Sequence, residues 1–180
     1  MSKARVFVAV YSSSSFTDIE STTTTSIGSR SKAAKYHWGI WIEPKGSEGE
    51  GTSFDIEEPS SHSYTGASLF GLRLQIEDHK TTPPNMLGRL MIGKIPDDAT
   101  VKDIGPILNE IPLPGDPGSP IQDNVAWIKA AIIELQEASC AERFFVDQFI
   151  KDAVSRAKKW ETNKSGPPKK VNYTRSRTFP

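Results

Sequence analysis

The sequence predicts an α+β fold, in which a mostly antiparallel β-sheet packs against helices. The first half of the 180 residues contains short segments rich in β-branched and aromatic side chains, which are typical of strands. The second half contains two apolar segments with helical spacing, at residues 123–138 and 141–160. We expect roughly four to six strands, most of them paired with their neighbours in the sequence, packed against these two helices.

Composition and charge are typical of a single cytoplasmic domain. The chain has 22 Lys and Arg against 22 Asp and Glu, so no net charge attracts it to nucleic acid or to an anionic membrane surface. The apolar run at residues 6–10 is too short for a signal segment or a membrane span. The single cysteine, Cys140, excludes an internal disulfide and a zinc site of several thiolates, and we expect it to have a packing or surface role.

The strands are predicted at five places along the chain. Residues 5–11 are apolar in their middle, as expected of a strand covered on both faces. The segment YHWGIWIE at Tyr36–Glu43 and a return strand at residues 52–57 flank a glycine-rich turn, which predicts an antiparallel hairpin. Residues 70–78 and 87–95 alternate or cluster apolar side chains in the manner of two further strands.

The helices are predicted from capping residues and from apolar stripes. Thr100 caps a short helix, and the prolines at residues 112–120 end it. Asp123 is the predicted N-cap of the next helix, and Asn124 is its first residue. This helix is so apolar that it must be buried on most sides.

We expect residues 1–162 to form one domain. Within it, the Ser/Thr-rich segment at residues 12–34 has too few apolar side chains to repay the entropy of ordering, so we expect a mobile loop, either a lid or a plain insertion. The basic residues 163–180 are predicted to form a disordered tail. Binding of nucleic acid by so short a basic run is not expected.

His37 is the candidate catalytic residue of the sequence. The two-residue period of a strand places it on the same face as Gly39, Trp41 and Glu43. Imidazole titrates near neutral pH, so His37 is a candidate general acid or base. The alternative is a core histidine whose ring is satisfied by a backbone carbonyl.

Asp55 is the expected partner of His37. If residues 52–57 pair with the strand of His37, the residue opposite His37 falls between about Asp55 and Glu58. A carboxylate there would fix the imidazole tautomer, and Asp55 is the best candidate. The alternative is that Asp55 and Glu57 form only the solvated face of an edge strand.

Four segments carry a resemblance to known proteins. In chain order, RVFVAVY, KYHWGIWIEP, RLMIGKIPD and QDNVAWIKAAIIEL resemble a family of small fungal proteins of largely undefined function. More distantly, the strand YHWGIWIE, the acidic return strand and the opening of the buried helix are similar to the NlpC-like thiol hydrolases and the lecithin:retinol acyltransferase group, which have a papain-like core. This resemblance implies that His37 is the base, that Asp55 is the orienting residue, and that Asn124 stands where those proteins have the nucleophilic cysteine.

The amide at Asn124 changes the expected chemistry. An amide cannot form the thiolate that covalent acyl transfer requires, so we do not expect the thiol hydrolase reaction. Either the chain diverged from thiol chemistry or the residue was engineered, and we favour divergence. Asn124, together with the free N–H groups of the helix start, could instead donate hydrogen bonds to an oxyanion.

Three classes of function stay open. The first is an enzyme of secondary metabolism that needs no cofactor and catalyses isomerisation, cyclisation or elimination, with His37 moving the proton. The second is a degenerate cysteine hydrolase fold that only binds a ligand or a protein partner, and the third is a polypeptide-binding module. For the first class we expect an apolar or aromatic substrate. The aromatic residues expected to bind it are Trp38, Trp41 and Trp127. The three histidines are too scattered in the sequence to predict a metal site.

Overall fold

The computed structural model describes residues 3–12, 32–57, 72–163 and 165–174. In the described residues, the strands are β1 (Arg5–Ser12), β2 (Tyr36–Glu43), β3 (Gly51–Glu57), β4 (Arg73–His79), β5 (Met86–Lys94) and β6 (Lys169–Asn172). The helices are a short 3₁₀ turn (Lys32–Lys35), α1 (Val101–Asn109), α2 (Asn124–Glu137) and α3 (Val146–Thr162).

The described strands form a single sheet with the order β4-β3-β2-β1-β5-β6. All neighbouring strands are antiparallel except β5 and β6, which are parallel. The predicted α+β fold with a mostly antiparallel sheet packed against helices is therefore confirmed. None of the helices in the described ranges is long and apolar enough to cross a membrane.

One face of the sheet, which we call the helix face, carries the main hydrophobic core. Alternate side chains of β1 and β2, such as Val8, Trp38 and Ile40, pack there against α2 and α3. Trp127 of α2 and Phe149 of α3 are fully buried in the same cluster. The alternation predicted for β2 thus decides which of its side chains face the helices, and β1 is buried on both faces, as predicted.

The opposite face, which we call the site face, carries a second buried cluster. Its members are Phe7, Ala9, Tyr11, Trp41, Met86 and Met91. Two of these, Tyr11 and Met86, lie at the end of the sheet where a register irregularity separates the pairing of Val10 from that of Tyr11. The side chains of His37 and Asp55 belong to this face by the same two-residue period.

The predicted helix starts are confirmed for α1 and α2. The carboxylate of Asp123 accepts a hydrogen bond from the N–H of Ala126 at 2.7 Å, so Asp123 is the N-cap of α2. At the start of α1, Asp103 accepts hydrogen bonds from the N–H and the hydroxyl of Thr100 at 2.7 and 2.8 Å. These bonds satisfy main-chain and side-chain donors that the helix itself leaves free.

Asp103 gives a prediction for stability against pH. The two hydrogen bonds from Thr100 lower the pKa of Asp103 below its ordinary value of 3.8. A lowered folded-state pKa means that the ionised carboxylate stabilises the fold above about pH 4 and that this contribution is lost as the pH falls through the lowered value. We expect Asp103→Asn to reduce the melting temperature at pH 7 and to have no effect near pH 2, which circular dichroism at the two pH values would measure. An equal reduction at both values would contradict the assignment.

Two predicted boundaries are wrong: the start of the last helix and the extent of the disordered tail. In both cases, contacts with residues distant in the sequence decide the structure. Helix α3 begins at Val146, because the N–H groups of Ala141 and Glu142 are bonded to the carbonyls of Leu135 and Ile92 and do not enter a helix. At Gly93 of β5 this segment passes so close that an added Cβ would lie 2.1 Å from the carbonyl oxygen of Cys140.

Part of the predicted disordered tail is a strand. Residues 169–172 form β6 beside β5, and the ring of Tyr173 packs edge-on against Phe149, with centroids 4.8 Å apart. The Tyr173 hydroxyl also donates to Asp152 of α3 at 2.9 Å. The prediction failed here because β5 and α3 supply the contacts, and the tail sequence itself contains few apolar residues.

The predicted Ser/Thr loop at residues 12–34 lies largely outside the described residues. Of this segment, only Ser12 at the end of β1 and residues 32–34 of the 3₁₀ turn are described. Cys140 is buried, in agreement with the predicted packing role.

Candidate functional site

A cavity of about 160 Å³ lies on the site face, where polar side chains of four strands meet. The described residues that line it are Tyr11, His37, Ser53, Asp55, Glu57, Glu77, His79, Pro83 and Asn85. A larger cavity of about 330 Å³ shares Pro83 and Asn85 with it, and among the described residues that line this neighbour Lys169 is the one titratable side chain. The smaller cavity therefore holds the groups that could carry acid–base chemistry.

His37 and Asp55 are brought together, as the sequence predicted. The Nε2 atom of His37 lies 3.5 Å from Oδ1 of Asp55, which is an ion-pair distance too long for a strong hydrogen bond. The side chain of Asp55 is only 11% exposed, whereas that of His37 is 32% exposed. Within the described part of the chain, Nε2 of His37 has no hydrogen-bond partner, so it is available to exchange a proton with a ligand.

Gly39 makes the approach of His37 and Asp55 possible. The pairing of Ile40 with Phe54 places Gly39 next to Asp55, between the two side chains. A Cβ added at Gly39 would lie 3.3 Å from Cβ and Cγ of Asp55, closer than most such contacts. The glycine therefore leaves the space into which the Asp55 carboxylate leans toward His37.

Tyr11 is a site residue that the sequence analysis missed. It lies directly opposite His37 in the pairing of β1 with β2, and the two ring centroids are 5.8 Å apart. Its hydroxyl is buried and has no hydrogen-bond partner in the described residues. Burial, and to a smaller extent the negative charge of Asp55, raises the pKa of Tyr11 well above its ordinary value, so it is a neutral phenol that can donate a hydrogen bond.

A second histidine, His79, also lines the cavity, where it lies beside Ser53. The hydroxyl of Ser53 lies 3.0 Å from Nε2 of His79, and the His79 ring stacks on Trp41 with centroids 5.4 Å apart. A carboxylate oxygen of Glu77 lies 3.9 Å from the same Nε2 atom. His79 is the last residue of β4, and the register in which β3 pairs with β4 brings it to this cavity. The sequence alone does not fix that register.

Asn124 lies elsewhere, and the prediction that it shares a hollow with His37 is wrong. Its Oδ1 accepts from the N–H of Trp38 at 2.8 Å, and its Nδ2 donates to the carbonyl of Trp38 at 3.0 Å. These bonds hold the start of α2 at the edge of β2 beside Trp38, and Asn124 is not among the described residues that line the cavity of His37. Because both ends of the amide are bonded to main chain, Asn124 is not available to stabilise an oxyanion of a ligand at His37.

The three tryptophans do not form a ligand surface. Trp38 and Trp127 are fully buried in the core of the helix face, so the prediction that they bind substrate is wrong. The indole of Trp38 donates to the carbonyl of Ala33 at 2.9 Å. Trp41 is on the site face but is also fully buried, and it acts as the stacking partner of His79.

Beside the cavity, the site face also contains a buried ionic cluster. Glu43 is fully buried, and its Oε2 accepts from Nε of Arg89 at 2.8 Å. Its other oxygen, Oε1, is bonded to the ammonium group of Lys170 in β6. The cluster connects β2, β5 and β6 and leaves none of its carboxylate oxygens open for a ligand.

Among the described residues, no three His, Cys, Asp or Glu side chains are arranged to hold a metal ion. The side chains of the cavity that can give or accept a proton are the imidazoles of His37 and His79, the hydroxyls of Tyr11 and Ser53, and the carboxylates of Asp55, Glu57 and Glu77.

The comparisons with known proteins identify a family without an assigned activity. A family model described as "Family of unknown function (DUF6914)" matches residues 3–164, so the chain belongs to that family. Searches of curated proteins and of solved structures found no match. The function has therefore to be argued from the site itself.

Proposed function

In this member of a family of unknown function, we propose that the cavity on the site face binds a small molecule and that His37 transfers a proton on it as a general acid or base. One observation carries the proposal. Nε2 of His37 and the hydroxyl of Tyr11 are both buried, both lack a partner in the described residues, and both belong to side chains that line one cavity. A buried polar group without a partner costs about 1–3 kcal/mol, which a bound ligand would recover.

The groups have complementary roles in such a reaction. His37 removes a proton from a carbon next to a carbonyl, and the electron pair moves to the carbonyl oxygen. The buried Tyr11 hydroxyl donates a hydrogen bond to that developing oxyanion. Asp55 stabilises the imidazolium that forms. Return of the proton to another carbon gives isomerisation, and loss of a leaving group gives elimination.

The cavity changes the substrate that we propose. The apolar or aromatic substrate expected from the three tryptophans loses its basis, since none of them lines the cavity. The described lining consists mostly of charged and hydroxyl side chains, which suits a small polar molecule. A cytoplasmic location remains part of the proposal and is supported by the free, buried Cys140.

The NlpC-like or lecithin:retinol acyltransferase-like core also remains a proposal. It is supported by a strand histidine next to an acidic residue of the following strand, which is the arrangement that the resemblance implies. The bonds of Asn124 to Trp38 argue against inheriting the second half of that site. The proposed reaction therefore does not use a covalent thioester.

Ser53 and His79 suggest a second candidate function, acyl transfer with Ser53 as nucleophile. The 3.0 Å distance between Oγ and Nε2 favours it. One observation weighs against it. Ser53 is only 3% exposed, which leaves a carbonyl carbon little room to reach its Oγ. We therefore prefer His37 as the group that acts on the ligand.

Elimination of 5-nitro-1,2-benzisoxazole tests the proposed function. In this reaction a base removes the C3 proton, the N–O bond breaks and a coloured cyanophenolate forms, so no natural substrate is needed. We expect His37→Gln to lower the rate by about 100-fold, because general-base catalysis typically contributes that much or more. Tyr11→Phe is expected to lower the rate about tenfold by removing one hydrogen-bond donor to the leaving oxygen.

Lys102→Gln on the exposed surface of α1 serves as the matched control and should leave the rate unchanged. Equal rates for the wild type and for His37→Gln, with both proteins folded by circular dichroism, would refute the assignment of His37 as the base. Binding of the benzisoxazole without any elimination would instead support the alternative of a protein that only binds ligands.

A further inference from the structure

We propose that the natural ligand of this cavity carries a positive charge, as an ammonium or a guanidinium group, and that the site face rejects anions. This inference rests on the proposed function, because it concerns the same cavity. It names the class of substrate on which His37 would act.

The charges of the lining residues point to a cationic ligand. Asp55, Glu57 and Glu77 contribute three carboxylates, and no Lys or Arg side chain lines the cavity in the described part of the chain. Within those residues, the ion pairs of Asp55 and Glu77 are with histidines, and Glu57 has none. The described cavity therefore has no fixed cation that could balance its carboxylates.

Two described cations on strands of the same sheet, Arg89 and Arg73, are bonded to other side chains. Arg89 is bonded to the buried Glu43 on the same face of the sheet. Arg73 stands opposite Glu57 in the pairing of β3 with β4, but its guanidinium is hydrogen-bonded to Gln75 at 3.4 Å. Neither of these cations lines the cavity.

The hydroxyl of Tyr11 provides an independent observation. Tyr11 is 4% exposed, its side chain lines the cavity, and its hydroxyl lacks a hydrogen-bond partner in the described residues. A buried hydroxyl without a partner indicates a place for a polar ligand group, and the three carboxylates that line the same cavity favour a cationic one.

The carboxylates lie at two depths, which suggests how such a ligand would bind. The Asp55 side chain is 11% exposed and lies deep beside His37, whereas the Glu77 side chain is 59% exposed. Desolvation strengthens the attraction of a cation to Asp55, and solvent screens its attraction to Glu77. An amine would therefore reach past the outer carboxylates and place its neighbouring carbon near the imidazole of His37.

Three matched probes test the inference: propylammonium, 1-propanol and propionate, which differ mainly in charge. Each is titrated into ¹⁵N-labelled protein at constant ionic strength, and the amide shifts of His37, Gly39 and Asp55 are followed. We expect propylammonium to bind at least about fivefold more tightly than propanol and propionate not to bind. Replacing both rim carboxylates, Glu57→Gln with Glu77→Gln, should weaken propylammonium about threefold and leave propanol unchanged.

The matched control replaces two exposed carboxylates at the end of α1 and on α2, Glu110→Gln with Glu134→Gln, and should leave all three affinities unchanged. Equal binding of the three probes, or binding of none, would overturn the inference. The elimination assay separates this failure from that of the proposed function, because its benzisoxazole is uncharged. Loss of charge preference with a rate that still depends on His37 would refute only the cationic ligand. A preference for propylammonium with a rate independent of His37 would refute only the proposed function.

Discussion

Replacement of Glu43 by glutamine is expected to lower the free energy of unfolding by about 3–5 kcal/mol, because it leaves a buried cation without its carboxylate. Glu43 is fully buried and the Arg89 side chain is 4% exposed, so water cannot solvate the guanidinium that has lost its carboxylate. Glutamine keeps the volume of the side chain, so the loss measures charge and hydrogen bonding without a cavity. Urea denaturation followed by tryptophan fluorescence measures the effect.

A double variant distinguishes the charge from the packing. Arg89→Met together with Glu43→Gln removes the two most buried charges of the cluster and leaves Lys170, whose side chain is 25% exposed, within reach of solvent. We expect this double variant to recover a large part of the lost stability, since buried ion pairs can be replaced by apolar side chains at little cost. Glu48→Gln in the exposed turn after β2 is the control and should change stability by less than about 0.5 kcal/mol. A Glu43→Gln variant as stable as the wild type would show that the cluster is not the link between β2, β5 and β6 that its bonds indicate.

The faces of β2 could be predicted from the sequence, but their partners could not. A two-residue period correctly assigned His37, Gly39, Trp41 and Glu43 to one face, because local alternation is a property of the strand itself. The ionic partner Arg89 lies 46 residues beyond Glu43 in the sequence, on a strand that is two positions away in the sheet. No local pattern contains that information.

The residues of the candidate site could be predicted only where a short connection joins their strands. Asp55 was found because a short hairpin connects it to His37 and limits the possible register. Tyr11 and His79 were missed because the pairings of β1 with β2 and of β3 with β4 span longer connections, whose register the sequence leaves open. Their polar side chains at strand ends were the only signal, and that signal is shared by many ordinary strand ends.

Asn124 shows the opposite error, in which a resemblance assigned a role that the side chain does not have. The residue was correctly placed at the first position of α2. An amide, however, can accept and donate at once, so it can pair with the N–H and C=O of one residue as a neighbouring strand would. The pairing of β2 with β3 covers Ile40 to Ile42 and does not include Trp38, and Asn124 bonds the main chain of Trp38.

Replacement of Asn124 by alanine is accordingly expected to destabilise the fold by about 2–4 kcal/mol. Two hydrogen bonds are lost, and the N–H and C=O of the buried Trp38 are left without partners, each at a cost of about 1–2 kcal/mol. The helix itself should not suffer, because alanine has the highest helix propensity. Glu134→Ala, an exposed position on the same helix, is the control and should be nearly neutral in urea denaturation.

Asn124→Cys tests the same geometry against the thiol chemistry that the resemblance implies. Since residue 124 is bonded to the main chain of Trp38 and is not among the described residues that line the cavity of His37, we expect a thiol there to lack the imidazole that must activate it. We expect p-nitrophenyl acetate to give no burst of nitrophenol beyond that of the wild type, whose Cys140 is buried, and mass spectrometry to show no acetyl group on residue 124. A burst that disappears in Asn124→Cys combined with His37→Gln would contradict the separation of the two residues. It would show that the start of α2 and the imidazole can reach one another after all.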